Sequence, residues 1–231
     1  MLKLIYHGHA CFSITDGTYD LLIDPFLNDN PLADVKAHEV NPSYILLTHG
    51  HNDHFGDALE IAKRTGAMII APYELAIYCE QHGVKTAAMN PGGSKQFPFG
   101  KIKLTPAWHS SSIIKGNNII YTGAPCGFLI EIQGKIIYHE GDTGLFGDMK
   151  LIGDRYRLNF ALLPIGDIFV MGPEDAIEAA VMLQAQVTIP MHYNTFPLIA
   201  QDPDLFVEKL RSKGLKGLVL KAGECKNKKS V

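Results

Sequence analysis

A chain of 231 residues with 21 basic and 24 acidic side chains, a formal charge of -3 and 46% hydrophobic content has room for one large core. Charged residues make up 19% and form no long like-charge block, which excludes disorder and a polyanion-binding tail. No apolar run approaches the roughly 18 residues of a membrane span, and His7, Gly8 and His9 interrupt the start where a signal peptide needs an unbroken apolar core.

These features predict a cytoplasmic protein with neither a membrane nor a nucleic-acid partner. Short apolar runs rich in branched residues, bounded by Gly, Pro, Asn or Asp, alternate with a few amphipathic segments. Residues 2–6, 11–15 and 20–23 predict three strands, the last two joined at the Asp16-Gly17 turn. Residues 44–48 have the apolar character of a strand buried on both faces. A helix over 57–64 stops at Gly66, and a strand over 67–71 and a helix over 72–82 follow. Residues 92–98 and 110–118 read as loops on either side of the run 102–107. Strands are expected at 118–121, 127–132, 135–139 and 160–165. Pro173 in the first turn, Glu174 and Asp175 behind it, and the spacing of Ala176, Ile177, Ala180 and Val181 predict a helix over 173–184. A strand over 187–190, a helix over 203–212 and a strand over 217–220 close the chain. Ile45-Leu46-Leu47 ahead of Ala58-Leu59, and Ala161-Leu162-Leu163 ahead of Ala176-Ile177, suggest two related halves within a single domain of sheets covered by helices.

Cys11, Cys79, Cys126 and Cys225 form no CxxC pair and are expected as reduced, buried thiols. The ten histidines are the anomaly of the composition, because His49, His51 and His54 fall within Thr48-His49-Gly50-His51-Asn52-Asp53-His54. From the chain's own His and Asp frequencies, H-x-H-x-D-H is expected by chance in about one in a thousand such chains. Imidazole with carboxylate suits zinc, and also iron and manganese. Four donors this close cannot all reach one ion without strain, so the motif is suited to seeding two neighbouring metal positions. Further donors are expected at the ends of apolar strands, where a rigid scaffold aims them. His109 follows the run 102–107, Asp142 lies in His139-Glu140-Gly141-Asp142-Thr143, and His192 follows 187–190. With the loop they make seven candidate metal donors: His49, His51, Asp53, His54, His109, Asp142 and His192.

In this order the residues resemble the metallo-β-lactamase superfamily of dinuclear metal hydrolases, over residues 2–224. Gly8-His9-Ala10-Cys11-Phe12, Leu22-Ile23-Asp24-Pro25, Asp142-Thr143-Gly144 and the run from Pro190 through Phe196 are similar to a narrower branch that contains L-ascorbate-6-phosphate lactonase. The resemblance implies an α/β fold, a four-layer αββα sandwich of two related halves, with residues 1–231 as one hydrolase domain and the site at one edge of the paired sheets. It implies two divalent metal ions, zinc first, with manganese, nickel or iron as alternatives. His49, His51 and His109 would hold one ion, Asp53, His54 and His192 the other, and Asp142 would lie between them. Asp24 is implied to support the ligand loop from behind, and His9 to sit in the pocket near the metals, with a capped core histidine as the competing reading. His7, His38, His82 and His139 match no ligand position.

The implied reaction is hydrolysis by a metal-bridging hydroxide, with Asp53 as both ligand and catalytic proton acceptor. The expected substrate is a small molecule, a lactone or a carboxylic ester or amide. A phosphodiester, as cleaved by nucleases and phosphodiesterases of the superfamily, is the alternative, and the net negative charge and missing basic run weigh against it. A reading from another class is a metal-binding redox or metabolite-sensing protein. Phe26, Trp108, Phe169, Met171, Tyr193, Asn194 and Phe196 flank the motifs and are the candidates for specificity. Homo-oligomerisation is compatible with the sequence.

Overall fold

Runs such as Ile45-Leu46-Leu47 and Ala161-Leu162-Leu163 have no polar face, so a strand built from either must be covered on both sides. The computed structural model describes residues 2–227, and both ends of the expected 1–231 domain lie outside them. In chain order the first half contains β1 (Lys3–Tyr6), β2 (Phe12–Thr15), β3 (Asp20–Ile23), β4 (Tyr44–Leu46), α1 (Asn52–Phe55), α2 (Ala58–Thr65), β5 (Met68–Pro72), α3 (Tyr73–Gln81) and β6 (Thr86–Met89). Then come β7 (Ser94–Phe97), β8 (Gly100–Pro106), β9 (Ser112–Lys115), β10 (Asn118–Tyr121), β11 (Cys126–Ile132), β12 (Lys135–His139), α4 (Asp148–Arg155), β13 (Phe160–Pro164), α5 (Pro173–Leu183), β14 (Val187–Met191), α6 (Pro203–Ser212) and β15 (Cys225–Asn227).

One sheet has the order β15-β1-β2-β3-β4-β5-β6, the other β14-β13-β12-β11-β8-β7, and β9 pairs with β10 as a separate hairpin. Each large sheet is mixed. β3 to β6 pair in parallel and β1 to β3 antiparallel, while β12 to β14 pair in parallel and β7, β8, β11 and β12 antiparallel.

Alternation along the strands separates three apolar layers. Leu4, Phe12, Ile23 and Leu46 of one sheet meet Leu104, Phe128, Leu162 and Ile189 of the other. Ile45, Leu47 and Ile69 turn outward onto Ala58, Ile61, Leu75 and Ala76 of α2 and α3. Ala161 and Leu163 turn outward onto Met149, Ala176, Ala180, Phe206 and Leu210 of α4, α5 and α6. The result is the four-layer αββα sandwich. Phe128 is fully buried between the sheets, so truncating it to Ala costs about 3–5 kcal/mol.

The structure departs from the sequence-based expectation at its polar strands and at two helices, α4 and the short α1, which carries Asp53 and His54 of the expected loop. Residues 92–98 and 110–118, expected as loops, contain β7 and β9. β7 is a sheet edge with only Phe97 buried, and β9 buries only Ile113, so backbone pairing forms both strands without an alternating apolar signal. β6 and β15 were not anticipated, and residues 217–220, expected as a strand, contribute a single bridge between Gly217 and Thr188. α4 carries Gly153 in its interior, which lowers helix propensity. The glycine is there because a Cβ would stand 2.1 Å from the Met182 carbonyl oxygen, so it sets the approach of α4 to α5. Cys11, Cys79 and Cys126 are buried as expected, whereas Cys225 is exposed. No helix among the described residues is long and apolar enough to cross a membrane.

β1, β3, β4, β8, β12 and β14 run so that the segments leaving their C-terminal ends meet at one edge of the sandwich. Those segments carry His9, Asp24, the 49–54 loop, His109, Asp142 and His192 respectively. Open α/β sheets place ligands at such an edge.

Candidate metal centre

Buried strand ends fix the backbone here, and the side chains converge on Asp142. Its carboxylate is 3% exposed. Oδ1 lies 3.1 Å from His54 Nε2, while Oδ2 lies 3.1 Å from His192 Nε2, 3.5 Å from His109 Nε2 and 3.9 Å from His49 Nε2. Gly141 makes this possible. Its φ is +67°, and a Cβ would come within 2.7 Å of the Cys126 carbonyl and 2.9 Å of Thr48 Cβ, so only glycine lets the Asp142 segment lie against the ligand loop.

Around Asp142 the donor atoms fall into two groups. His49 Nε2 and His109 Nε2 lie 3.0 and 3.3 Å from His51 Nδ1, and these three residues offer atoms within 4.8 Å of one another. His9, Asp53, His54 and His192 form a second group by the same measure, and His49, His54 and Asp142 link the two. All seven expected donors are therefore brought together, and His9 joins them.

The ring orientations are set from behind. Asp24 is completely buried, at φ +44°, and accepts from the Thr48 N–H at 2.8 Å and the Thr48 hydroxyl at 2.7 Å. Its Oδ2 also receives His54 Nδ1 at 2.8 Å, which turns His54 Nε2 toward Asp142. Because the Thr48 hydroxyl donates to Asp24, it accepts from His49 Nδ1 at 2.9 Å, which leaves His49 Nε2 to face the centre. A carboxylate or hydroxyl behind an imidazole, as at His54 and His49, is the arrangement that fixes tautomers at metal sites. Ser111 Oγ bonds the Gly50 N–H at 3.1 Å and Thr122 Oγ1 at 2.7 Å. The Trp108 N–H reaches Thr143 Oγ1 at 2.9 Å, tying the His109 segment to the Asp142 segment.

The unsatisfied atoms point to a cation. His54 Nε2, Asp142 Oδ1 and both ring nitrogens of His192 are buried with no hydrogen-bond partner among the described residues. The 3.1 Å approach of His54 to Asp142 is close enough for an ion pair but is not aligned as a hydrogen bond. Orphaned buried polar atoms cost about 1–3 kcal/mol each. A divalent first-row ion suits this imidazole and carboxylate set and would use the free lone pairs.

The electrostatics differ from ring to ring. Burial, reinforced by His192, pushes His9 down to about 4. Burial and then His54 hold His49 well below its ordinary value, so both rings are neutral in neutral solution. Burial acts the same way on His54, but Asp142 and Asp24 outweigh it and raise this imidazole well above its usual range. Burial would raise Asp142, and His192 and His54 overcome it, leaving the carboxyl well below the ordinary range.

The remaining candidates lie around this centre. Trp108 is 73% exposed and lines a cavity of about 660 Å³ with Pro106, His109, Tyr121, Phe146 and Asp148. Phe26 and Phe196 pack edge-on against the His9 ring. Tyr193 is buried in the core beneath α5 and α6, as is Met171, while Phe169 is exposed. Asn194 is exposed, at φ +59°, and its Oδ1 accepts from the Gln201 N–H at 2.8 Å, which shapes a turn beside the site. His139 takes the Gly141 N–H on Nδ1 and bonds the Ala10 carbonyl through Nε2. His7 is held by Asp34 and Ser13, His82 by the Tyr78 carbonyl, and His38 is exposed. Sequence reasoning assigns no role to the hydroxyls of Thr48, Ser111, Thr122 and Thr195, although Thr48 and Thr195 lie within the 48–54 and 190–196 motifs. It also missed Glu140, whose carboxyl is fully buried with no hydrogen-bond partner among the described residues and is pushed well above its ordinary value by burial.

Residues 19–193 match the family described as "Beta-lactamase superfamily domain". A UPF0173 metal-dependent hydrolase of Bacillus cereus is 52% identical over 225 residues, 96% of this chain and 98% of that protein. One from Anoxybacillus flavithermus is 52% identical over 224 residues, with the same coverage. Among solved structures, Igni18, described as a novel metallo hydrolase from Ignicoccus hospitalis, superposes with a TM-score of 0.89 at 39% identity, covering 97% of each chain.

Proposed function

The chain belongs to the metallo-β-lactamase superfamily and is a metal-dependent hydrolase, and from that premise we propose that it cleaves a small-molecule lactone or carboxylic ester or amide at a two-metal centre. The convergence of two donor groups on the Asp142 carboxylate is the observation that carries this reading. His49, His51 and His109 would hold one ion, Asp53, His54 and His192 the other, and Asp142 would be shared. Bound ions would supply Lewis acidity and water that ionises near neutral pH, and zinc heads the order of candidates, followed by manganese, nickel and iron.

The chain's own residues do the rest. Asp53 keeps 30% of its side chain exposed, while Asp142 is 3% exposed. Asp53 is therefore placed to take up the proton that the attacking water loses. Trp108, Tyr121 and Phe146 hold the apolar part of the substrate in the cavity beside His109. The cavity lining includes Asp148 and, among the described residues, contains no Lys or Arg, which favours a neutral or weakly charged substrate over a polyanion. In this reading residues 1–231 form one cytoplasmic hydrolase domain.

Metal-stripped protein reconstituted with zinc, manganese or nickel should turn over members of a panel of lactones and carboxylic esters in preference to chromogenic phosphodiesters. Turnover of the diesters but not the lactones would overturn the substrate class. An iron-loaded protein with a visible absorption band and no hydrolysis of either panel would favour a redox role.

A further inference from the structure

The second donor group holds one imidazole more than the ligand set just described. His9 leaves the end of β1 in the left-handed region, at φ +57°, and its ring is completely buried. The His192 N–H donates to the His9 carbonyl at 2.7 Å, and the two ring centroids are 4.0 Å apart. His9 Nε2 stands 3.2 Å from Asp53 Oδ2, and His9, Asp53, His54 and His192 offer donor atoms within 4.8 Å of one another.

The hydrogen bonding behind the ring gives it a direction. Thr195 Oγ1 lies 2.9 Å from His9 Nδ1 and makes a longer, 3.5 Å contact with the Tyr193 carbonyl. A carbonyl can only accept, so a Thr195 hydroxyl that donates to it accepts from His9 Nδ1–H. His9 Nε2 then presents a lone pair toward the Asp53 carboxylate. Two acceptors 3.2 Å apart repel unless a cation lies between or beside them. The same relay operates at His49, where Nδ1–H donates to the Thr48 hydroxyl and that hydroxyl donates to Asp24, leaving Nε2 toward Asp142. Two buried histidines from distant parts of the chain are thus turned toward the centre by the same device.

We propose that His9 Nε2 is a protein donor to the divalent metal ion held by Asp53, His54 and His192. This rests on the two-ion reading above. It gives the buried position four protein donors besides the shared Asp142, where the His49, His51 and His109 position has three.

Substitutions at position 9 separate a metal donor from a residue that merely hydrogen-bonds Asp53. Glu can ligate an ion but cannot donate to Asp53 when ionised, whereas Gln can donate but is a weak ligand. Titration of metal-free full-length protein with zinc should show one of two sites weakened at least about 10-fold by His9→Gln and weakened less than about 3-fold by His9→Glu. Thr195→Val should weaken the same site about 10-fold, the low end of the loss seen when a ligand's outer partner is removed. Zinc-loaded wild-type crystals should place His9 Nε2 at about 2.0–2.1 Å from an ion. That measurement does not depend on any variant folding. Wild-type affinity at both sites in His9→Gln with loss in His9→Glu, or an ion more than about 3 Å from His9 Nε2, would overturn the assignment while leaving two ions in place. A wild-type protein that binds fewer than two ions would overturn both readings.

Discussion

The two donor groups flanking Asp142, one of three imidazoles and one of three imidazoles with the Asp53 carboxylate, are held differently. His54, His192 and His9 are buried to within 2% of full enclosure, and Asp24 or Thr195 locks His54 and His9 from behind. On the other side His49 is buried and locked through Thr48, but His51 and His109 are partly exposed. His51 Nε2 lies 3.4 Å from the exposed Ser110 hydroxyl, and the His109 segment runs into the small β9–β10 hairpin rather than into either large sheet. Preorganised donors bind an ion without ordering themselves first, so the buried side should be the tight position. The open side adjoins the cavity and should be the position that exchanges and meets substrate.

The largest expected effect comes from the one residue the two sides share. Asp142→Asn should release both ions and lower kcat/KM by about a thousandfold or more, about 4 kcal/mol, with metal analysis and an ester assay reading the two losses together. Retention of both ions would show that the two sides do not depend on Asp142. Asp24 supports His54 directly and His49 through Thr48. Asp24→Asn should therefore weaken both positions about 10- to 100-fold in a zinc titration, and weakening of only one would sharpen the comparison.

A smaller effect separates the sides. A competing chelator should remove one ion about ten times more readily than the other, and His109→Ala should abolish the weaker site while leaving the tighter one. Loss of the tighter site in His109→Ala would reverse the ranking. The smallest effect concerns stability. Burial raises Glu140 well above the ordinary carboxyl value of 4.5. Above that value, and up to the raised value, the folded chain keeps a proton that the unfolded chain has lost. Glu140 therefore makes stability fall as pH rises, by up to about 1.4 kcal/mol per pH unit. Glu140→Gln should flatten the decline of Tm as pH rises above the ordinary carboxyl range, and parallel Tm curves for the two proteins would contradict this.

Much of the site was legible because its donors are dense in sequence or sit at the ends of strongly apolar runs. His49 through His54 is a cluster no composition explains, and His109, Asp142 and His192 each follow a strand that the core must bury. The αββα layering was legible for the same reason, since runs such as 45–47 and 161–163 require cover on both faces. The hydroxyl relays were not legible. Thr195 meets His9 from 186 positions away, and Ser111 meets Gly50 from 61, so their roles exist only after the sheets have stacked. β7 and β9 escaped because backbone pairing builds them with one buried side chain each, and α4 because Gly153 serves packing at the expense of propensity.

The central claim is that two ions, one on each side of Asp142, act together in hydrolysis. Titrating metal-free protein with zinc while following bound metal and ester turnover tests it most directly. The expected result is two ions per chain, with turnover reaching its maximum only as the second binds. Full turnover at one ion per chain, with no further binding, would contradict it.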